Sequence, residues 1–251
     1  MRVLSLFDGI ACGYEALQRA GIPIDVYYAS EIDKYAIQIA QKNHPDIIQL
    51  GDVCNIRGED FKDIDLIIGG SPCQGFSRAG KMLNFNDPRS KLFFEFVRLV
   101  KEIKPKYFLL ENVKMKKERI DIISSELWVQ PIEINSGLVS AQNRRRLYRT
   151  NIPGVSLPKD RGIKLKDILQ HEVDEKYCYS PIEWKNIADK LLSIESGEVR
   201  IKQATKKGYI VAEEGDGISF SFPHSTTRRG RVIKGKANTL TCNWDSSVYS
   251  G

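Results

Sequence analysis

The residue best placed for covalent chemistry is Cys73, in the stretch Gly69-Gly70-Ser71-Pro72-Cys73-Gln74-Gly75-Phe76-Ser77. A deprotonated thiol is the most nucleophilic ordinary side chain. The run Ile64-Asp65-Leu66-Ile67-Ile68 before it is apolar and β-branched, as in a buried parallel strand, and two glycines and a proline end that strand abruptly. Ligands of open α/β sheets bind outside the carboxyl ends of the strands. Cys73 is therefore placed like a nucleophile at the mouth of a sheet, although an inert thiol in a Pro-Cys turn has the same local sequence. Lys106–Val113 repeats the pattern and brings Glu111 to the same edge, where a carboxyl group against an apolar wall has its pKa pushed upward and can donate a proton near neutral pH. In Gln142–Arg149, if Arg145–Arg149 is a strand, Arg144 and Arg146 share a face and Arg145 points to the other. Two guanidiniums would aim at one site, as donor forks suited to phosphate or a base carbonyl; the alternative is a solvated basic edge strand.

The elements that must hold these groups begin with a strand at Val3–Phe7, the turn Asp8-Gly9-Ile10-Ala11-Cys12-Gly13 and a helix over Tyr14–Ala20. Glycines there let a ligand approach the backbone, and the following helix offers amides to negative groups. The spacing is not that of the dinucleotide fingerprint. Asp25–Ala29 reads as a second strand leading into Ser30-Glu31, with a helix over Ile32–Asn43. An acid at this tip holds ribose hydroxyls in such folds, or adds charge to a helix N-terminus. Ile47–Leu50 is a third strand, after which Asp52 can accept from an adenine amino group or cap a turn. After Cys73, Ser77–Asp87 is an aperiodic loop, either a lid or a surface loop, and Arg89, Lys91 and Arg98 flank an apolar helix at Leu92–Val100.

The composition, 41% hydrophobic and 28% charged in 251 residues, is that of a globular chain and excludes a disordered or collagen-like one. The net charge of +6 hints at a polyanionic partner. Five dispersed cysteines with no Cys-x-x-Cys pair argue for a reducing compartment and against a disulfide framework or structural zinc. No apolar run is long enough for a signal peptide core or a membrane helix, so a cytoplasmic location is expected. Two prolines and a glycine within Ile152–Lys159 suggest a boundary, giving domains 1–152 and 153–251. Gly162–Ile168 and Pro181–Leu192 look partly helical, and the remainder alternates short β-like runs with glycine. No acid occurs between Gly217 and Trp244, where Arg228, Arg229, Arg231, Lys234 and Lys236 fall close to Thr226, Thr227 and Asn238. Such a cluster suits a nucleic-acid face; a solvated hairpin has a similar composition.

Taken together, the motifs resemble those of the cytosine-C5 DNA methyltransferases that use S-adenosylmethionine. They occur in that family's order: Phe7–Gly13, Glu31, Asp52, Ser71-Pro72-Cys73-Gln74, Glu111-Asn112-Val113 and Gln142-x-Arg144-x-Arg146. The first is similar to that of the animal de novo branch. The Ser-Pro-Cys-Gln-Gly-Phe-Ser form is shared with bacterial and phage enzymes. Asn238-Thr239-Leu240 resembles the threonine-leucine pair of target-recognition regions. The resemblance is strong over residues 1–150 and weak over 151–251.

The resemblance implies an α/β fold with a mostly parallel, doubly wound, Rossmann-like sheet and a smaller irregular target-recognition region. Phe7 would pack on adenine, Glu31 would bind the ribose hydroxyls, and Asp52 would take the adenine amino group. Asp8, Gly9, Ile10, Ala11, Gly13, Ile32, Val53 and Pro72 would complete the cofactor site. Cys73 would add to C6 of a cytosine flipped out of the duplex, so that C5 takes the methyl group and S-adenosylhomocysteine is the product. Glu111 would hold the N3 and amino edge, Arg146 would contact the O2 side, and Arg144 would orient the nucleophile or its loop. Gln74, Ser77, Arg89, Arg228, Arg229, Arg231 and Thr239 would contact double-stranded DNA, and no metal is required. Family members carry two further motifs after target recognition, and neither occurs in residues 1–251. A second chain or a further C-terminal segment is therefore expected to complete the catalytic domain. The other expected partner is a cognate restriction endonuclease, in a bacterial or phage setting. Two alternatives accompany this reading. One is the family's tRNA-modifying branch, which tends to show Pro-Pro-Cys-Gln where Ser71 stands here. The other is a catalytically incomplete DNA-binding remnant or partner subunit.

Overall fold

The computed structural model describes residues 1–71, 88–170, 172–178, 191–195, 198–203, 205–219, 231–238 and 246–248. The elements up to residue 150 are β1 (Arg2–Leu6), α1 (Cys12–Arg19), β2 (Val26–Ser30), α2 (Lys34–Asn43), β3 (Ile48–Gln49), β4 (Leu66–Gly69), α3 (Pro88–Ile103), β5 (Tyr107–Val113), α4 (Lys117–Leu127), β6 (Ile132–Asn135), β7 (Gln142–Asn143) and β8 (Arg145–Thr150). The chain divides into two compact units, one of residues 1–134 and 146–157, the other of residues 135–145 and 158–251. Set beside the expected division at 152/153, residues 135–145 go with the second unit.

The first unit is built on a sheet of order β3-β2-β1-β4-β5-β8-β6. β1 to β5 pair in parallel, and β8 runs antiparallel to β5. A parallel sheet needs both faces covered, and period-2 alternation along the strands supplies two apolar surfaces. Leu4, Leu6, Ile67, Phe108 and Leu110 pack with Phe93, Phe96 and Leu99 of α3 and Ile123 and Leu127 of α4. On the other side Val3, Tyr27, Ala29, Leu66 and Ile68 pack with Ala40 of α2. The architecture is thus the mostly parallel, doubly wound sheet expected from the sequence. Its parallel strands all end at one edge, which carries the turn after β1, Glu31, Asp52, the start of the Ser71 segment and the end of β5.

Local chemistry sets the element ends. Asp33 caps α2, its Oδ1 accepting from the amides of Tyr35 (2.8 Å) and Ala36 (2.9 Å), two of the donors a helix start leaves without partners. Asp52 caps a one-turn 3-10 helix, Val53–Asn55, through the amide of Cys54. α1 has no side-chain cap and starts from Ala11 in the left-handed region.

The second unit contains β7 and β9 (Leu191–Glu195), β10 (Glu198–Lys202), β11 (Tyr209–Ala212), β12 (Gly217–Ser219), β13 (Arg231–Ile233), β14 (Ala237–Asn238) and β15 (Ser246–Val248). They form two three-stranded antiparallel sheets, β11-β10-β9 and β13-β12-β15, and a parallel β14-β7 ribbon. Among the described residues, Val199, Ile201, Ala212, Ile218 and Val232 form one buried apolar cluster in this unit. The helix expected at Gly162–Ile168 is one 3-10 turn, Leu165–Ile168. Gly162 at φ +68° and the bond from Leu165 N to Gly235 O bend this segment onto its own unit instead. Most of Pro181–Leu192 lies outside the described residues. No helix among the described residues is long and apolar enough to cross a membrane.

Candidate active site

The turn after β1 is strained in a way its sequence does not announce. Phe7 (φ 59°), Gly9 (φ 62°) and Ala11 (φ 65°) all lie in the left-handed region. Side-chain-bearing residues there cost of order 1–3 kcal/mol each and persist only where the surroundings hold them. Three restraints do so: Asp8 N donates to Ser30 O, Ala11 N donates to Asp8 O, and Gly9 N donates to Glu31 Oε2 at 2.8 Å. A Cβ on Gly9 would meet nothing within 4 Å, so the backbone there faces open space.

Glu31 is the keystone of this edge. Its Oε1 accepts from the amides of Ile32 (2.8 Å) and Asp33 (2.9 Å), while Oε2 ties β2 to the turn after β1. A carboxylate has about four lone-pair sites, so three amides leave capacity for a hydroxyl donor. Ile10 and Ile32 are exposed on this edge, at 51% and 75%. Asp52 is exposed beyond β3, with one amide on its Oδ1.

Four other expected cofactor residues make inward contacts. Phe7 packs against the core on the α3 side, and Val53 is buried in that core. A Cβ on Gly13 would lie 2.2 Å from Ile68 Cδ1 and 2.8 Å from the Tyr27 hydroxyl, so this glycine lets α1 close on the sheet. Asp8 turns its carboxyl into the protein, where Oδ1 accepts from Ser5 Oγ (2.6 Å) and the Tyr27 hydroxyl (2.8 Å). Burial raises the Asp8 pKa above its ordinary value, against the lowering effect of these two bonds.

At the next strands, β5 and β8 set the register that matters. Glu111 pairs with Tyr148, Asn112 with Leu147, and Val113 with Arg146. Cross-strand partners share a face, and diagonal neighbours two positions away are within reach of long side chains. Glu111 accordingly meets Arg146, with Arg146 Nε 2.7 Å from Glu111 Oε1. The expected apolar wall around Glu111 is replaced by a guanidinium. A Cβ on Gly70 would lie 3.1 Å from Glu111 Oε2, so the end of β4 passes close against this carboxylate.

The opposite face of the same pair carries a feature absent from the sequence reading. Arg149 is fully buried, and among the described residues no carboxylate pairs with it. It donates to Asn112 Oδ1 (3.3 Å) and Ile120 O (3.4 Å), and burial lowers its pKa to about 10. A guanidinium only donates, so it turns the Asn112 oxygen toward itself and the amide nitrogen toward Ser71 Oγ, 3.5 Å away. The signal was available in β8, because Arg149 shares the parity of buried Leu147.

Arg144 belongs to the second unit, where its amide donates to Asn135 Oδ1 and its carbonyl accepts from Ser136 N. In the basic stretch, Lys234 pairs with Asp216 (2.9 Å) and Glu213 (3.1 Å), and Lys236 is held by backbone carbonyls. Two cations of the expected nucleic-acid face thus have partners within their own unit, Lys234 remaining half-exposed, while Arg231 is exposed. Pro72, Cys73, Gln74, Ser77, Arg228, Arg229 and Thr239 lie outside the described residues, as does the side chain of Arg89.

The first unit is thus a doubly wound sheet with an amide-anchored acid at its second strand tip and a carboxylate-guanidinium pair at its fifth strand. Residues 1–121 match the family described as C-5 cytosine-specific DNA methylase. The chain belongs to that family of enzymes. It is 35% identical to the type II methyltransferase M1.ScrFI of Lactococcus lactis subsp. cremoris, over 73% of this chain and 52% of that protein. It is 32% identical to the orphan methyltransferase M.Rho11sI of Bacillus phage rho11s, over 72% of this chain and 46% of that protein. The chain thus spans about half the length of these curated relatives. Among solved structures, a mutant DNMT2 from Spodoptera frugiperda superposes with a TM-score of 0.62 at 26% identity, covering 76% of this chain and 65% of that one. The fold is shared with S. pombe Dnmt2 methyltransferase, at a TM-score of 0.59 and 23% identity over 76% of this chain and 67% of that one.

Proposed function

We propose that this chain supplies the catalytic domain and part of the target-recognition region of an enzyme that methylates C5 of cytosine in DNA, with S-adenosylmethionine as donor. The observation that carries this reading is the Glu111–Arg146 pair, 2.7 Å apart, lying against Gly70. Cys73 is three residues further along the chain, so covalent connectivity alone keeps its Cα within ~11 Å of that of Gly70. The carboxylate and the guanidinium share one sheet edge, and in this reading Cys73 is the nucleophile that acts with them.

The residues at that edge fit the donor. Glu31 has free acceptor sites for ribose hydroxyls, Asp52 has an exposed carboxylate for an exocyclic amine, and Ile10 and Ile32 offer apolar flanks for a ring. When bound, the donor supplies an electrophilic methyl group. C5 of cytosine is a weak nucleophile, and thiolate addition at C6 moves electron density onto it. In this mechanism Glu111 holds the N3 and amino edge and Arg146 the O2 side of a base taken out of the stack. Loss of the C5 proton and elimination of the Cys73 thiolate then restore the ring.

The test is transfer of a labelled methyl group from S-adenosylmethionine to duplex DNA and to tRNA in parallel. Transfer to DNA that is lost in Cys73→Ser supports the reading, whereas preference for tRNA contradicts it. Because the chain spans about half of its relatives, the same assay is run with a longer chain carrying a C-terminal segment.

A further inference from the structure

Lys236 stands in the basic stretch, yet its ammonium faces inward within the second unit. It donates to the carbonyls of Gly137 (2.7 Å), Ser140 (2.8 Å) and Ile163. An ammonium has three donors, so all three are engaged, and among the described residues no carboxylate pairs with it. Next in the chain, Ala237 N donates to Ala141 O (2.7 Å), and Ala237–Asn238 pairs in parallel with Gln142–Asn143.

That ribbon is two residues long on each strand, too short to hold its own register. From the other side, Asn135 Oδ1 accepts from Gly137 N and Arg144 N, and Ser136 Oγ donates to Gln142 O. Gln142–Arg144 is therefore gripped between Asn135–Ser136 and Lys236–Asn238. Gly217 shows how closely this place is built, since a Cβ there would lie 2.4 Å from the Lys236 carbonyl oxygen.

We propose that Lys236 is a positioning residue: its ammonium locks the Gln142–Arg144 segment to the strand leading into Thr239, so that arginine motif and target-recognition segment move as one. The proposal rests on the methyltransferase reading for its consequence, but not for its geometry. It differs from a phosphate contact, the usual role of lysine in a basic stretch, in three measurable ways.

The experiment compares Lys236→Met and Lys236→Arg with the parent chain. Amide hydrogen exchange at residues 142–144 and 237–238 reads the clamp without requiring activity. Both variants should exchange faster there while β10 and β11 keep their protection, because a planar guanidinium cannot converge on three carbonyls as an ammonium does. In DNA methylation, Lys236→Met should lower kcat by roughly 10- to 100-fold, the scale of a small misplacement of reacting groups. Cofactor KM and the salt slope of DNA binding should stay unchanged. Unchanged exchange at 142–144 overturns the proposal. Full activity in Lys236→Arg with a salt slope reduced by about one in Lys236→Met makes Lys236 a phosphate contact and also overturns it. Loss of protection across β10 and β11 assigns Lys236 to general stability and overturns it as well. Absence of methylation by the parent chain bears on the proposed function alone, since the exchange data still decide the clamp.

Discussion

The two units use charge in opposite ways. In the first, Glu31 and Asp52 stand at strand tips and accept backbone amides while keeping acceptor capacity toward solvent. In the second, Lys234 and Lys236 face carboxylates and carbonyls of their own unit, and the three donors of Lys236 are all engaged. A carboxylate with about four acceptor sites can serve the fold and a ligand at once, whereas an ammonium with three donors in a carbonyl cage serves only the fold. Charge counted along a sequence therefore overstates the ligand surface more for Lys236 than for Glu31 and Asp52.

The largest effect expected in the first unit comes from Cys73→Ala, which should reduce methyl transfer to background while the cofactor still binds; calorimetric titration with S-adenosylmethionine checks the second half. Glu31→Ala should weaken cofactor binding by roughly 10- to 100-fold, since it removes a charged acceptor whose bonds are worth about 1.5–3 kcal/mol each. Binding at parental strength would remove Glu31 from the site. Gly70→Ala presses a methyl group against Glu111 Oε2. It should lower kcat with little change in cofactor KM, in steady-state assays on duplex DNA.

Two buried acids sharpen the contrast through pH. Asp216 in the second unit has its pKa lowered: burial raises it, but the amides of Glu213 and Gly235 and the Lys234 ammonium outweigh burial. Its stabilisation is present above the unfolded value near 3.8 and is lost as pH falls through the lower folded value. Asp216→Asn should thus lower Tm at pH 7, and the deficit should close only in strong acid. Asp8 in the first unit is the reverse, with a folded pKa above 3.8. Its favourable contribution is complete below 3.8 and disappears as pH rises through the folded value, so at pH 7 the buried charge is a burden. Asp8→Asn should match or exceed the parent Tm at pH 7, and the parent should gain on it as pH falls toward 4. Thermal melts across pH read both signs, and equal slopes would break the comparison.

The parallel sheet was legible because its strands are short apolar runs ended by glycine, proline or an acid. Glu31 and Asp52 were legible as acids that follow such runs, and Glu111 as an acid near the end of an apolar run, which the structure places inside β5. What could not be read was direction. Asp8 and Glu31 lie on neighbouring strand ends, yet one turns inward to Ser5 and Tyr27 and the other binds surface amides. That choice follows from the left-handed turn at Phe7 and Ala11, a conformation that neither residue type favours. Gly13 looked like a ligand-approach glycine and is a packing glycine, because only the fold brings Ile68 and Tyr27 to it. Arg149 was overlooked in a run of arginines, where charge reads as surface, although it shares the parity of Leu147 and the register of β8 against β5 carries both inward.

The central claim, covalent attack by Cys73 on cytosine, is tested most directly by incubating the chain with S-adenosylmethionine and duplex DNA containing 5-fluorocytosine. Fluorine at C5 cannot leave as a proton does, so productive attack stops at a protein–DNA adduct. The account predicts an adduct that survives denaturation, requires the cofactor and is absent in Cys73→Ala. Methylation of ordinary cytosine without any Cys73-dependent adduct on the fluorinated duplex would contradict it.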